Sequence, residues 1–109
     1  MTVSELCEAL SLRTLVCPSP EREITGVYVG DLLSWVMGRA EEGDLWLTIM
    51  TNVNVIAVAS LVNTSAVLLC EGCQLEPEVL RVADEKGINV LVSDGRIYET
   101  CRQIGALLP

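Results

Sequence analysis

The sequence predicts a three-layer α/β/α domain built on a largely parallel sheet. From Leu45 onward, strand-like and helix-like segments alternate in the order β-α-β-α-β-α, which requires parallel strands joined by crossover helices. The strand segments are short, almost continuous apolar runs between turn residues, as buried parallel strands are. Half of the residues are hydrophobic, yet aromatics make up only 4% and Phe is absent, so Val, Leu, Ile and Ala must build the core. A chain of 109 residues supports one such core, and a single domain over residues 1–109 is expected.

The elements follow in order. Thr2 or Ser4 can cap a first helix that carries Glu5 and Glu8 near its positive end, with Val3, Leu6, Cys7 and Leu10 at helical spacing. A short strand over residues 12–17 runs into "PSPER", where Pro18 and Pro20 break regular structure. A second strand over residues 24–29 is rich in β-branched residues. Asp31 is placed to cap "LLSWVMGRA", and "EEGD" turns the chain into a strand over residues 45–50. "TNVNVIAVASLVN" opens with two capping residues and continues as a helix apolar on several sides, suited to burial between layers. Residues 66–70 form the next strand and "EGCQLEP" a loop. Pro77 suits the first turn of "EVLRVADEK", which Gly87 ends. Residues 88–92 form the last strand. Asp94 is expected to cap a final helix striped by Ile97, Cys101, Ile104 and Leu108.

Composition restricts the function. The net charge of −8, with one lysine and six scattered arginines, opposes binding to nucleic acid or to anionic membranes, because affinity there comes from basic clusters. The longest apolar stretch, residues 55–62, is far short of a membrane span, and glutamates stand where an export signal would be basic. A cytoplasmic location is therefore expected. Histidine is absent, so Ser-His-Asp and Cys-His nucleophile systems cannot be built from this chain, and no catalytic residue is assigned. Five cysteines at irregular spacing read as reduced thiols rather than a disulfide framework. No cofactor is implied.

Three stretches could carry binding chemistry. "GVYVGDLLS" places Gly30, Asp31 and Ser34 at a turn that opens a helix, a geometry that can hold an anion. It lacks the spacing of a phosphate-binding loop, and Asp31 stands where a phosphate would sit. "TNVN" places Thr51, Asn52 and Asn54 between strand and helix, at the carboxyl edge where α/β folds bind ligands. Capping accounts for Thr51 and Asn52, whereas Asn54 is expected inside the helix and free for a ligand or partner. Glu71 and Gly72 end the next strand and complete a candidate polar pocket. "CEGC" offers a redox or metal alternative through Cys70 and Cys73, although a strand precedes it where a reactive pair would want a helix N-terminus. Trp35, Val36 and Met37 are the candidate surface for a homodimer, competing with an ordinary core role.

The stretch "REITGVYVGDLLSWVMGRAEEGDLWLTIMTNVNVIAVASL", followed by "AVLLCEG" and "EKGINVLVS", resembles the DRTGG domain family, relatives of the N-terminal domain of HPr kinase/phosphorylase. "GDLLSWVMG" is the most specific part. The naming motif corresponds to Glu21-Arg22 and Thr25-Gly26, with Val27 in place of the second glycine. The resemblance implies an HPr kinase N-terminal-domain-like α/β module, without the kinase domain or its phosphate-binding loop, that regulates and dimerises. The expectation is a non-enzymatic regulatory or sensory homodimer that acts in trans on a partner protein and has room for a small metabolite.

Overall fold

The structure, a computed structural model, describes residues 1–108. Its elements are α1 (Val3–Leu10), β1 (Arg13–Val16), β2 (Gly26–Val29), α2 (Leu33–Arg39), β3 (Asp44–Thr48), α3 (Asn54–Val62), β4 (Ala66–Leu69), α4 (Pro77–Glu85), β5 (Val90–Val92) and α5 (Ile97–Leu107). The expected α/β architecture with a mostly parallel sheet is present. Five strands lie in the order β1-β5-β4-β3-β2, all parallel except β1, which runs antiparallel to β5.

The steady progression from β2 through β3 and β4 to β5 sends every crossover the same way, so a single hand of crossover puts α2, α3 and α4 on one face. The period-two alternation of the strands then divides the apolar residues into two cores. Trp46, Val67, Leu69, Val90 and Val92 pack with Val36 of α2, Ile56 of α3 and Val79 of α4. Leu45, Leu47, Leu68 and Leu91 point the other way and meet Val3 and Leu6 of α1 and Ile104 of α5. Only two helices cover this second face, and β2 lies at the sheet edge there.

Local signals explain most boundaries. Thr2 and Glu5 form a reciprocal capping box: the Thr2 hydroxyl accepts from the Glu5 N–H at 3.1 Å, and the Glu5 carboxylate accepts from the Thr2 N–H at 2.8 Å. β2 begins two residues later than expected because the Ile24 N–H donates to the Met1 carbonyl, and Thr2 bridges Glu23. Three helix starts depart from expectation. α2 starts at Leu33 with Leu32 as its cap residue and no side-chain cap, so Asp31 is not a helix cap. α5 starts at Ile97 after Arg96, and Asp94 pairs instead with Arg13 at 3.0 Å. α3 starts at Asn54 with Val53 as its cap residue and no side-chain cap, beyond the expected capping residues Thr51 and Asn52.

Candidate functional site

The carboxyl ends of β2 and β3 are tied together by the residues that the sequence marks as a candidate site. The Gly30 N–H donates to the Leu47 carbonyl at 3.2 Å, and the Gly30 carbonyl accepts from Trp46 Nε1 at 2.9 Å. Asp31 Oδ1 accepts from the Thr48 hydroxyl at 2.9 Å and from the Ile49 N–H at 3.4 Å. Thr48 is fully buried, so its hydroxyl needs a partner, and Asp31 supplies one. Thr48 Oγ1 in turn accepts from the Met50 N–H at 3.2 Å.

Beyond β3, Thr51, Asn52 and Asn54 are all exposed, as is Ser34 in the first turn of α2. Asn52 Oδ1 accepts from the Asn54 N–H at 2.9 Å, a local turn that leads into α3. Asn54 is therefore the first residue of α3, and not an interior helical position. Ile49 and Val53, on the same connection from β3 to α3, are exposed as well.

Glu71 and Gly72 belong to a different corner. Both adopt left-handed backbone, with φ of 61° and 70°, and their N–H groups donate to Gly95 O at 2.9 Å and Ser93 O at 3.0 Å. Those bonds close the loop after β4 onto the end of β5, so neither amide is left to hold an anion. The sequence candidates thus separate into a β2–β3 group and a β4–β5 group.

Cys70 and Cys73 do not form a matched pair. Cys70 is fully buried in the core beneath α1 and α5, whereas Cys73 packs against the core on the opposite face of the sheet. Burial pushes the Cys70 thiol up to about 11, so it carries almost no thiolate at neutral pH. Among the described residues, no three Cys, Asp or Glu side chains come together as a metal-binding group.

Of the three residues proposed for a dimer surface, Val36 is fully buried and serves the core. Trp35 and Met37 are half exposed, at 52% and 47%, and Arg39 stacks over the Trp35 ring at 3.6 Å. They flank Val36 on a helix that can bury only one stripe.

Two features carry little sequence signal. At the amino edge, Arg22 donates to the Asn63 side chain and carbonyl, each at 3.0 Å, and Asn63 Nδ2 donates to Glu42. Thr25 Oγ1 donates to Glu42 O at 3.2 Å. Gly43, at φ 87°, lies against Thr25 Oγ1, and a Cβ on Gly26 would strike Asp44 Oδ1. The Arg22 and Thr25-Gly26 positions therefore clasp β2, β3 and the end of α3. The second feature is an apolar groove of about 530 Å³ between β2 and α5, walled by Val27, Val29, Cys101, Ile104 and Leu108. It exists because three helices cover one face and two the other, which depends on a strand order that no local pattern contains.

These features describe a small three-layer α/β module with a hydrogen-bonded carboxyl edge and an open sheet edge. Residues 5–107 match the DRTGG domain, and the chain belongs to the DRTGG domain family. The crystal structure of the CBS and DRTGG domains of the regulatory region of Clostridium perfringens pyrophosphatase, complexed with its activator diadenosine tetraphosphate, is similar in fold, with a TM-score of 0.77 at 17% identity. The match covers 99% of this chain and 47% of that one, so this chain spans about half its length. No curated protein matches the sequence. Among the described residues, no helix is long and apolar enough to cross a membrane.

Proposed function

We propose that this chain is a non-catalytic regulatory module of the cytoplasm, working as a homodimer, acting in trans on a partner protein and responding to a small metabolite at the carboxyl edge of β2 and β3. The observation that carries the reading is the group of exposed, uncharged donors and acceptors on Thr51, Asn52 and Asn54, in the same connection as exposed Ile49 and Val53. Gly30, Asp31 and Ser34, at the end of β2 and the start of α2, are proposed as the other part of the same site. Such a surface suits a ligand with a flat, partly apolar and hydrogen-bonding face.

Asp31 and Glu71 bear on the ligand class. Both are carboxylates at this end of the sheet, and no lysine or arginine is bonded there to offset them, apart from Arg13 on Asp94. A bare phosphate would be repelled, whereas a nucleoside base and sugar would not. The C. perfringens regulatory region, crystallised with a dinucleotide activator, supports regulation by analogy of fold. The absence of histidine and the engagement of Asp31 by Thr48 and Ile49 support a module without chemistry of its own.

The test is a thermal-shift screen of the reduced protein against adenosine, adenine nucleotides, sugar phosphates, acyl phosphates and divalent metals. A saturable rise of about 4–8 °C per kcal/mol of linked binding is expected from adenosine, with a smaller one from the phosphate-bearing adenine nucleotides. Asn54→Ala, an exposed substitution that leaves the core untouched, should abolish the shift. A response that survives in Asn54→Ala would move the site elsewhere.

A further inference from the structure

The two edges of the sheet are treated very differently. β1, at one edge, opens with exposed Arg13, carries a register irregularity between Thr14 and Val16, and runs into Pro18 and Pro20. Charge, a bulge and proline are the usual means by which an edge strand is kept from pairing with another chain. β2, at the other edge, has none of them. Its sequence is Gly26-Val27-Tyr28-Val29, its register with β3 is unbroken, and its outer side offers a row of backbone N–H and C=O groups.

The surface around β2 is apolar and nearly uncharged. Half of the exposed large apolar residues among those described, namely Val27, Val29, Leu32, Trp35 and Met37, lie on β2, α2 and the turn between them. From Ile24 to Met37 the only charged residue is Asp31, whose carboxylate is held by Thr48 and Ile49. The chain as a whole carries −8, so two copies repel over most of their surface and can approach closely only where acidic side chains are missing. The β2 edge is one such place, and unlike the equally uncharged residues 45–70 it also carries the open side of an edge strand. The groove along Val27 and Val29 is open on the same side.

We infer that β2 pairs with β2 of a second copy, antiparallel about a two-fold axis, so that one sheet runs through both. This rests on the homodimer reading above and specifies its interface. The two-fold relation makes the contact isologous: each copy supplies both the donors and the acceptors of the same strand. Val27 and Val29 meet their counterparts on the groove face of the sheet. Trp35 and Met37 of α2 flank the axis on the other face. The second copy also completes the wall of the groove that β2 leaves open.

The experiment measures solution mass by light scattering, together with amide hydrogen exchange, for the wild type, Val27→Lys and Leu61→Lys. Val27 is 40% exposed, so a lysine there can reach solvent without disturbing the core, and circular dichroism checks the fold. Leu61, 72% exposed on α3, places the same charge away from this edge. The expected result is a dimeric wild type with protected outward amides on β2, a Val27→Lys variant whose dimer dissociates at least about tenfold more readily and loses that protection, and a dimeric Leu61→Lys. A dimer that persists in folded Val27→Lys, or whose β2 amides exchange freely in the wild type, overturns the edge pairing and leaves the homodimer reading standing. A monomeric wild type overturns both.

Discussion

At the scale of single residues, the thiols give the sharpest chemistry. Cys70 is closed off by the core under α5, and burial raises its thiol to about 11, opposed only in part by a hydrogen bond with Thr100. Burial likewise raises Cys7, Cys17 and Cys101 above the ordinary value of 9.0. Native-state titration with a disulfide reagent at neutral pH should therefore leave Cys70 unmodified, so that Cys70 and Cys73 are not modified together. Rapid modification of both, with loss of two thiols to one intramolecular disulfide, would revive the redox reading. The same shift has a consequence for stability. The folded state holds the Cys70 proton more tightly than the unfolded state, so the contribution is complete below about pH 9 and is lost as pH rises towards 11. Denaturant midpoints measured across that window should fall, and Cys70→Ala should flatten the part of the fall that this thiol causes.

At the scale of elements, the fold was legible where the signal is local and obscure where a partner lies far along the chain. Of the two caps the sequence offers for α1, Thr2 is the one used, and it forms with Glu5 a box that spans only four residues. The short, almost continuous apolar runs of β3, β4 and β5 give those strands their places to within a residue or two, because burial on both faces leaves little else for them to be. Asp31 and Asp94 each precede an apolar run and have the residue type of a cap, yet each is drawn to a distant partner. The Thr48 hydroxyl lies 17 positions from Asp31, and Arg13 lies 81 positions from Asp94. No spacing rule contains those contacts. The candidate site was legible to the same extent: the ends of β2 and β3 come together, whereas Glu71 and Gly72 close onto β5. Asp31→Ala should cost about 1–3 kcal/mol, mainly by stranding the buried Thr48 hydroxyl, and should leave the helical signal of α2 intact. A double-mutant cycle with Thr48→Val checks the cause. Coupling above about 0.5 kcal/mol is expected from the contact, and additivity would return Asp31 to a capping role.

At the scale of the whole molecule, the sheet is shared by two cores that cannot come apart separately. Leu45 and Leu47 face one core while Trp46 between them faces the other, and the same alternation runs through β4 and β5. Melting either face would expose the opposite side of the same strands, so the chain should unfold in one cooperative step. Its two tryptophans report on different regions: Trp46 is fully buried on β3, and Trp35 stands half exposed on α2 beside the open edge. In the single-tryptophan variants Trp35→Phe and Trp46→Phe, the fluorescence transitions should coincide with the loss of secondary structure. If the folded form is the dimer, mass action adds a further signature: the transition temperature must rise with protein concentration, because unfolding then releases two chains from one particle. Iodide should quench Trp35 less as concentration increases, while Trp46 stays dark to it throughout. Separate transitions for the two tryptophans would mean that α2 and the β2 edge unfold ahead of the central sheet. In that case the open edge would be the least stable part of the fold, and a second copy would act there as the element that completes it.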